Sequence, residues 1–238
     1  MFGFLGKYKE THPEFFPLID GRRVLNNFTQ PCFTNKEALR TLIREAREQL
    51  NNAPEDTLIL DCGNEDTWRC CECPACLLPI TLPDGTALAP KSPSAEQDPL
   101  FRSTQMFIFL NAMAEELVKE YPKLKILTLA YIFAAEPPKV TVHPAIMVLF
   151  APYPTVNMRF PVMQHGPGVP GSWASRFQQW GQHPALAFYE YWGVGYCNAM
   201  GETAAVNLRA LAQFGGVGVN AEALQDVDTA MEGIGSFT

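Results

Sequence analysis

The sequence predicts an α/β protein of the (β/α) TIM-barrel type, either complete or represented by only about five to six β/α units. Three observations lead there. Short apolar runs alternate with helical segments along the 238 residues, as in βαβ units wound on a parallel sheet. No G-x-G-x-x-G or G-x-x-x-x-G-K-[ST] opens a predicted helix, which removes the usual phosphate-binding reading of an open doubly wound sheet. Polar and aromatic residues gather at the C-terminal ends of the predicted strands, the active face of barrel enzymes. The length suits one such domain, so residues 1–238 are read as a single barrel domain or a fragment of one.

The elements follow in order. TNKEALRTLIREAREQL, from Thr34, places Leu39, Leu42, Ile43, Ala46 and Leu50 on one helical face, with Thr34 and Glu37 as a capping-box pattern. TLILDCG is next, a short apolar run expected to form a strand buried on both faces. A second helix is expected over residues 103–121, facing Met106, Leu110, Met113 and Leu117 inward, with Pro122 as its stop. The runs KILTLAYIF and AIMVLFAPY are strands. SWASRFQQWG is a helix closed by Gly181, whose Trp173, Phe177 and Trp180 recur at core spacing. LAFYEYW, the helix ETAAVNLRALAQF ended by Gly215 and Gly216, and VGVNAEA complete the series. The segment Leu77 to Pro99 is too rich in Pro and Ser for regular structure and is expected to cover the mouth of the site as a loop.

Composition narrows the function. A 47% hydrophobic, 18% charged chain should fold. Its formal net charge of -7 and lack of any Lys/Arg run argue against nucleic-acid and anionic-membrane partners. The N-terminus lacks a signal-peptide h-region, and no run reaches the about 18 apolar residues of a membrane span. The chain is therefore expected to be soluble.

Five of the seven cysteines lie in one segment: Cys62, Cys70, Cys71, Cys73 and Cys76. Four thiolates drawn from Cys70, Cys71, Cys73 and Cys76 would suit zinc, but structural zinc sites usually join two separated ligand pairs and no His is near. The preferred reading is a scaffold without cofactor, in which Cys71 or Cys73 pairs with Cys76 as a disulfide or the group packs as reduced thiols. That scaffold would fix the turn presenting Asn64, Glu65 and Asp66. Redox chemistry would want C-x-x-C at a helix N-terminus, and Leu77 to Pro83 does not read as a helix.

Glu65, Asp66, Glu190 and Glu222 are the acids at the strand ends. Cleaving a glycosidic bond needs one carboxylic acid to protonate the leaving oxygen and a second group as base or nucleophile. Tyr131, Tyr153, Tyr191 and Trp192 offer faces on which sugar rings stack, and Asn64 offers a hydrogen-bonding amide. Each acid has an ordinary alternative, pairing with an arginine such as Arg69 or Arg159. His12, His143, His165 and His183 each precede Pro or Gly and read as loop anchors. No G-x-S-x-G elbow supports a serine hydrolase.

HPEFFPLIDGRR, PCFTNKE, the GNED…CxCxxC segment, the LAY strand, YEYW and VGVNAEA resemble, in order, a bacterial family designated a domain of unknown function. That family is similar to glycoside hydrolase barrels of the α-glucuronidase and β-hexosaminidase kind. The resemblance implies Glu65 or Asp66 as acid/base after Asn64, with Glu190 and Glu222 as second carboxylate and substrate-positioning group. It also implies a carbohydrate substrate and a bacterial, periplasmic or secreted setting. Family barrels carry earlier strands, so this chain would correspond to their C-terminal part. The segment Met1 to Gln30 would then hide a strand, or self-association or a missing N-terminal half would complete the sheet. The expected function is a glycoside hydrolase acting on a polysaccharide or oligosaccharide, with a non-catalytic carbohydrate-binding barrel as the alternative.

Overall fold

The computed structural model describes residues 2–26, 28–54, 59–152, 161–166, 168–194, 197–198 and 201–223. They form a mixed α/β structure that divides into two compact units, Met1–Met147 and Val148–Thr238.

The first unit opens with 3-10 turns at Phe2–Tyr8 and Pro13–Phe15 and a two-residue hairpin, β1 (Leu18–Ile19) with β2 (Arg22–Arg23). Asp20 and Gly21 sit at φ +50° and +73°, the double left-handed turn that a tight hairpin demands and that an Asp-Gly pair supplies. No strand of the segment Met1 to Gln30 joins the parallel strands among the described residues.

Helix α1 (Lys36–Asn51) follows. Its cap is Asn35, not Thr34: the Asn35 side-chain oxygen accepts from the backbone N–H of Glu37 at 2.9 Å and Ala38 at 3.0 Å. Ala38, Leu42, Ile43, Ala46 and Leu50 are buried as the periodicity requires. Glu45 is buried on the same helix and is met there by the Lys7 ammonium and the Tyr8 hydroxyl.

Strand β3 (Ile59–Asp61) buries Leu60 but leaves Ile59 52% exposed, so the expectation of a strand covered on both faces fails here. A strand at the end of a sheet needs only one covered face. The predicted loop after the cysteines holds a second hairpin, β4 (Ile80–Thr81) with β5 (Ala87–Leu88). Asp84 makes it possible, its carboxylate accepting from the Thr86 N–H at 2.9 Å and hydroxyl at 2.7 Å.

Helix α2 (Pro99–Leu117) begins four residues before the expected start and stops short of Tyr121. Proline suits that first position because the N–H it lacks would have no helical partner. Phe101, Met106, Phe107, Leu110, Met113, Ala114 and Leu117 are all wholly buried, so α2 is a core helix rather than a half-exposed one. Strand β6 (Lys125–Ala130) pairs in parallel with β3, Leu60 lying opposite Ile126. The link to β7 (Ile146–Phe150) is a 3-10 turn, Ile132–Ala135, in place of a helix. Asn111 of α2 ties this link down, donating to Thr141 O and accepting from His143 N–H. His143 takes the Ala145 N–H on Nδ1, the loop-anchoring role its Pro neighbour suggested.

Strand β7 passes from the first unit into the second. There it pairs in parallel with β8 (Leu186–Val194), which pairs in parallel with β10 (Gly218–Ala223) on its far side. A short antiparallel strand, β9 (Cys197–Asn198), also adjoins β8. Helix α3 (Trp173–Trp180), capped by the Ser172 hydroxyl, connects β7 to β8, and α4 (Gly201–Gln213) connects β9 to β10. The core of this unit is aromatic. Phe177 of α3 meets Phe150, Phe188 and Phe214 with ring centroids 5.3–5.5 Å apart, and Trp180 is 2% exposed. No helix of the described residues is long and apolar enough to cross a membrane.

Candidate active site and a four-cysteine centre

The chain leaves β3 at Asp61 and turns at once. Gly63 N–H donates to the Asp61 carboxylate at 2.8 Å, and a Cβ at Gly63 would lie 3.3 Å from that oxygen. This turn delivers Asn64, Glu65 and Asp66 beyond the C-terminal ends of β3 and β6. Asn64 is 7% exposed. Its side-chain amide donates to Tyr131 O at 3.2 Å, while its Oδ1 has no hydrogen-bond partner among the described residues. An orphaned buried acceptor costs about 1–3 kcal/mol, which makes it a natural place for a ligand's donor.

Glu65 is held through its backbone. Gln30, wholly buried, donates from Nε2 to Glu65 O at 2.9 Å and accepts from Glu65 N–H at 3.3 Å. Its carboxyl is half-buried, and burial, helped by the nearby Asp61 carboxylate, raises its pKa above the ordinary value. Asp66 is exposed and accepts from the Tyr131 hydroxyl at 2.9 Å. Trp68 stands 43% exposed just beyond. Ile132, directly after Tyr131, adopts φ +53°. That left-handed backbone costs a β-branched residue about 1–2 kcal/mol.

The structure thus brings together Asn64, Glu65, Asp66 and Tyr131. Glu190, Tyr191, Trp192 and Glu222 belong to the second unit, on β8 and β10, where only their backbone is described. The register sets Glu222 opposite Tyr191, one step along from the Glu190–Ala221 pair. Tyr153 lies outside the described residues.

Behind this loop the chain runs into the cysteines. The buried sulfurs of Cys32, Cys71, Cys73 and Cys76 all lie within 4.8 Å of one another. Cys32 Sγ is 3.8 Å from Cys73 Sγ and 3.6 Å from Cys76 Sγ. Cys70, one of the four sulfurs considered for zinc, is not among them, and Cys32, from a distant segment, takes its place. Cys70 and Cys62 are separately buried thiols, each pushed up to about 12 by desolvation. The described cysteines are free rather than disulfide-bonded, the reduced-thiol form of the expected scaffold and not its disulfide form.

Several elements hold the four sulfurs in place. Cys73-Pro74-Ala75-Cys76 forms a 3-10 turn closed by Cys76 N–H to Cys73 O at 2.9 Å. The β1–β2 hairpin clasps the loop: Glu72 N–H donates to Leu18 O at 2.7 Å, and Leu18 N–H donates to Cys71 Sγ at 3.3 Å. Thr34, freed from capping α1, places its hydroxyl 3.0 Å from Cys76 Sγ. Arg102 of α2, wholly buried, donates to Cys71 O at 3.0 Å, Cys76 O at 3.3 Å, Gln105 Oε1 at 2.9 Å and Pro93 O at 2.8 Å. No carboxylate pairs with it among the described residues.

The electrostatics of these thiols are opposed. Hydrogen bonds from Cys71, then Cys76, drive Cys32 far down toward the thiolate. The same contact with Cys32 pushes Cys71 up to about 11 and Cys76 up as well. One negative sulfur among close neighbours penalises the next, and a bound cation removes that penalty. The centre could hold a metal ion.

Sequence reasoning missed Gln30, Cys32, Trp68 and Arg102. The PCFTN segment was visible, but nothing local marks Cys32 as a partner of sulfurs 41 and 44 residues away.

No curated protein and no solved structure matches the chain. The family model described as "Domain of unknown function (DUF4838)" matches residues 4–234, and the chain belongs to that family.

Proposed function

We propose that this chain processes carbohydrate on parallel strands that form part of a (β/α) barrel scaffold related to glycoside hydrolases, with Glu65 as general acid. One observation carries the reading: Glu65 is a half-buried carboxyl, its pKa raised by desolvation, just past the C-terminal end of a parallel strand. A group that must protonate a glycosidic oxygen near neutral pH needs that environment. Its neighbours suit a sugar. The unsatisfied Asn64 Oδ1 offers an acceptor to a hydroxyl, Tyr131 orients the Asp66 carboxylate, and Trp68 presents an exposed ring for stacking.

Sugar binding without cleavage is the second reading, favoured by the exposed Trp68 and the Asn64 acceptor, since neither requires proton transfer. The test compares wild type and Glu65→Gln on aryl glycosides and oligosaccharides, with calorimetry for binding. The acid reading expects wild-type cleavage that falls about 10²–10⁴-fold in Glu65→Gln with binding retained. Asp66→Asn, Glu190→Gln and Glu222→Gln in the same assay identify the second carboxylate. Wild-type binding without turnover selects the second reading. Neither binding nor turnover across the panel overturns both.

A further inference from the structure

We propose that Cys32, Cys71, Cys73 and Cys76 bind one zinc ion as a closed tetrathiolate site. This goes beyond the carbohydrate reading and stands without it.

The first ground is size. A tetrahedron with edges of 3.6–3.8 Å, the spacing from Cys32 to Cys76 and Cys73, has its centre about 2.2–2.3 Å from each corner, and zinc–thiolate bonds are about 2.3 Å. All four sulfurs stay within 4.8 Å of one another. That hollow admits one ion and no multinuclear iron–sulfur cluster.

The second ground is closure. All four cysteines are buried, with the half-buried Leu18, the Thr34 hydroxyl and the Arg23 guanidinium packed against them. Four buried protein ligands suit a structural zinc site rather than a catalytic one, which keeps a position for water.

The third ground is charge. Four thiolates around a divalent ion leave a net charge of about −2, with the protons the thiols still hold released to solvent on binding. The surroundings answer with donors and a cation: Leu18 N–H on Cys71 Sγ, the Thr34 hydroxyl by Cys76 Sγ, and buried Arg102 held against the carbonyls of the ligand residues Cys71 and Cys76. A guanidinium buried with no carboxylate is expensive unless a nearby anion offsets it. The loaded centre is such an anion; the metal-free thiols carry less negative charge.

Disulfides fit less well. Cys32 lies almost equally far from Cys73 and Cys76. The ligands come from two segments, Cys32 ahead of α1 and the C-x-C-x-x-C loop, so the ion would pin the chain entering α1 to the loop that follows Asp66. Gln30, two residues before Cys32, already holds Glu65.

The test uses the full chain, produced in zinc-supplemented medium and purified without a metal-affinity step. Elemental analysis should give one zinc per chain, and X-ray absorption at the zinc edge four sulfur neighbours at about 2.3 Å. Cys32→Ser should bind zinc at least about a hundred-fold more weakly, beyond the range typical of outer-shell changes, while Cys70→Ala and Cys62→Ala keep a full equivalent. The proposal is overturned by metal-free protein in which all seven cysteines titrate as thiols, by disulfides seen in non-reducing peptide mass spectra, by iron in place of zinc, or by Cys32→Ser binding zinc as wild type does. Should Cys32→Ser fail to fold, the wild-type absorption spectrum decides: a shell of fewer than four sulfurs refutes the assignment.

Discussion

Replacing Arg102 with methionine removes a buried cation of similar length and leaves its acceptors in place. Pro93 is exposed, so its carbonyl turns to water at little cost, and Cys76 O keeps the Gln105 amide at 2.8 Å. Cys71 O and Gln105 Oε1 are buried and lose the donor the structure gives them. At about 1–3 kcal/mol for each stranded acceptor the loss is about 2–6 kcal/mol, centred near 4. The opposing term is relief from burying an unpaired guanidinium, which can make apolar replacements neutral or stabilising. A doubly anionic metal centre beside Arg102 cancels that relief; the less charged metal-free thiols cancel less of it. Urea unfolding followed by far-UV circular dichroism should therefore show Arg102→Met at least about 3 kcal/mol less stable in zinc-loaded protein, with a smaller loss after chelation. A change under 1 kcal/mol in the loaded protein would refute the reasoning about this buried charge.

Asn35→Ala should cost about 1 kcal/mol by urea unfolding, whereas Thr34→Val should leave α1 helicity unchanged, because Thr34 faces the sulfur of Cys76 instead of capping. Phe177→Ala should cost about 3–5 kcal/mol through the aromatic core of the second unit, where it meets Phe150, Phe188 and Phe214; calorimetric unfolding reads it, and a loss under 1 kcal/mol would contradict that packing. Glu65 has a folded pKa above its unfolded one, so it favours the folded state below the unfolded pKa and loses that contribution as pH rises through the folded value. Glu65→Gln should then stabilise the protein at pH 7 relative to pH 4 in thermal melts, and equal shifts at both would remove the case for a desolvated carboxyl.

Much of the fold was legible because periodicity is local. The apolar face of α1, the core spacing of Phe177 and Trp180, and the apolar runs of β6, β7 and β8 can each be read within one window of sequence. The departures have local causes too. Pro99 read as a loop residue, although a helix accepts proline in its first turn. Asp20-Gly21 is a strong hairpin signal, but strands of two residues carry no alternation to confirm it. Asp84 and Gly85, inside a Pro- and Ser-rich stretch, hid β4 and β5 in the same way. The site was legible in part: Asn64, Glu65, Asp66 and Tyr131 were read from strand ends and do come together. Cys32, Gln30 and Arg102 were not, because their partners are fixed by how segments pack. The C-x-C-x-x-C spacing shows three sulfurs; only chain closure reveals the fourth.

Gln30 exchanges two hydrogen bonds with the backbone of one residue, Glu65, much as a neighbouring strand would. A primary amide thus stands in for a missing rung of sheet, and its value lies in having both a donor and an acceptor at one tip. Glutamate at that position would keep size and shape yet, when ionised, set an oxygen against the Glu65 carbonyl. The geometry of the candidate acid is therefore written partly in an amide far upstream, where a change of one atom type would reach it.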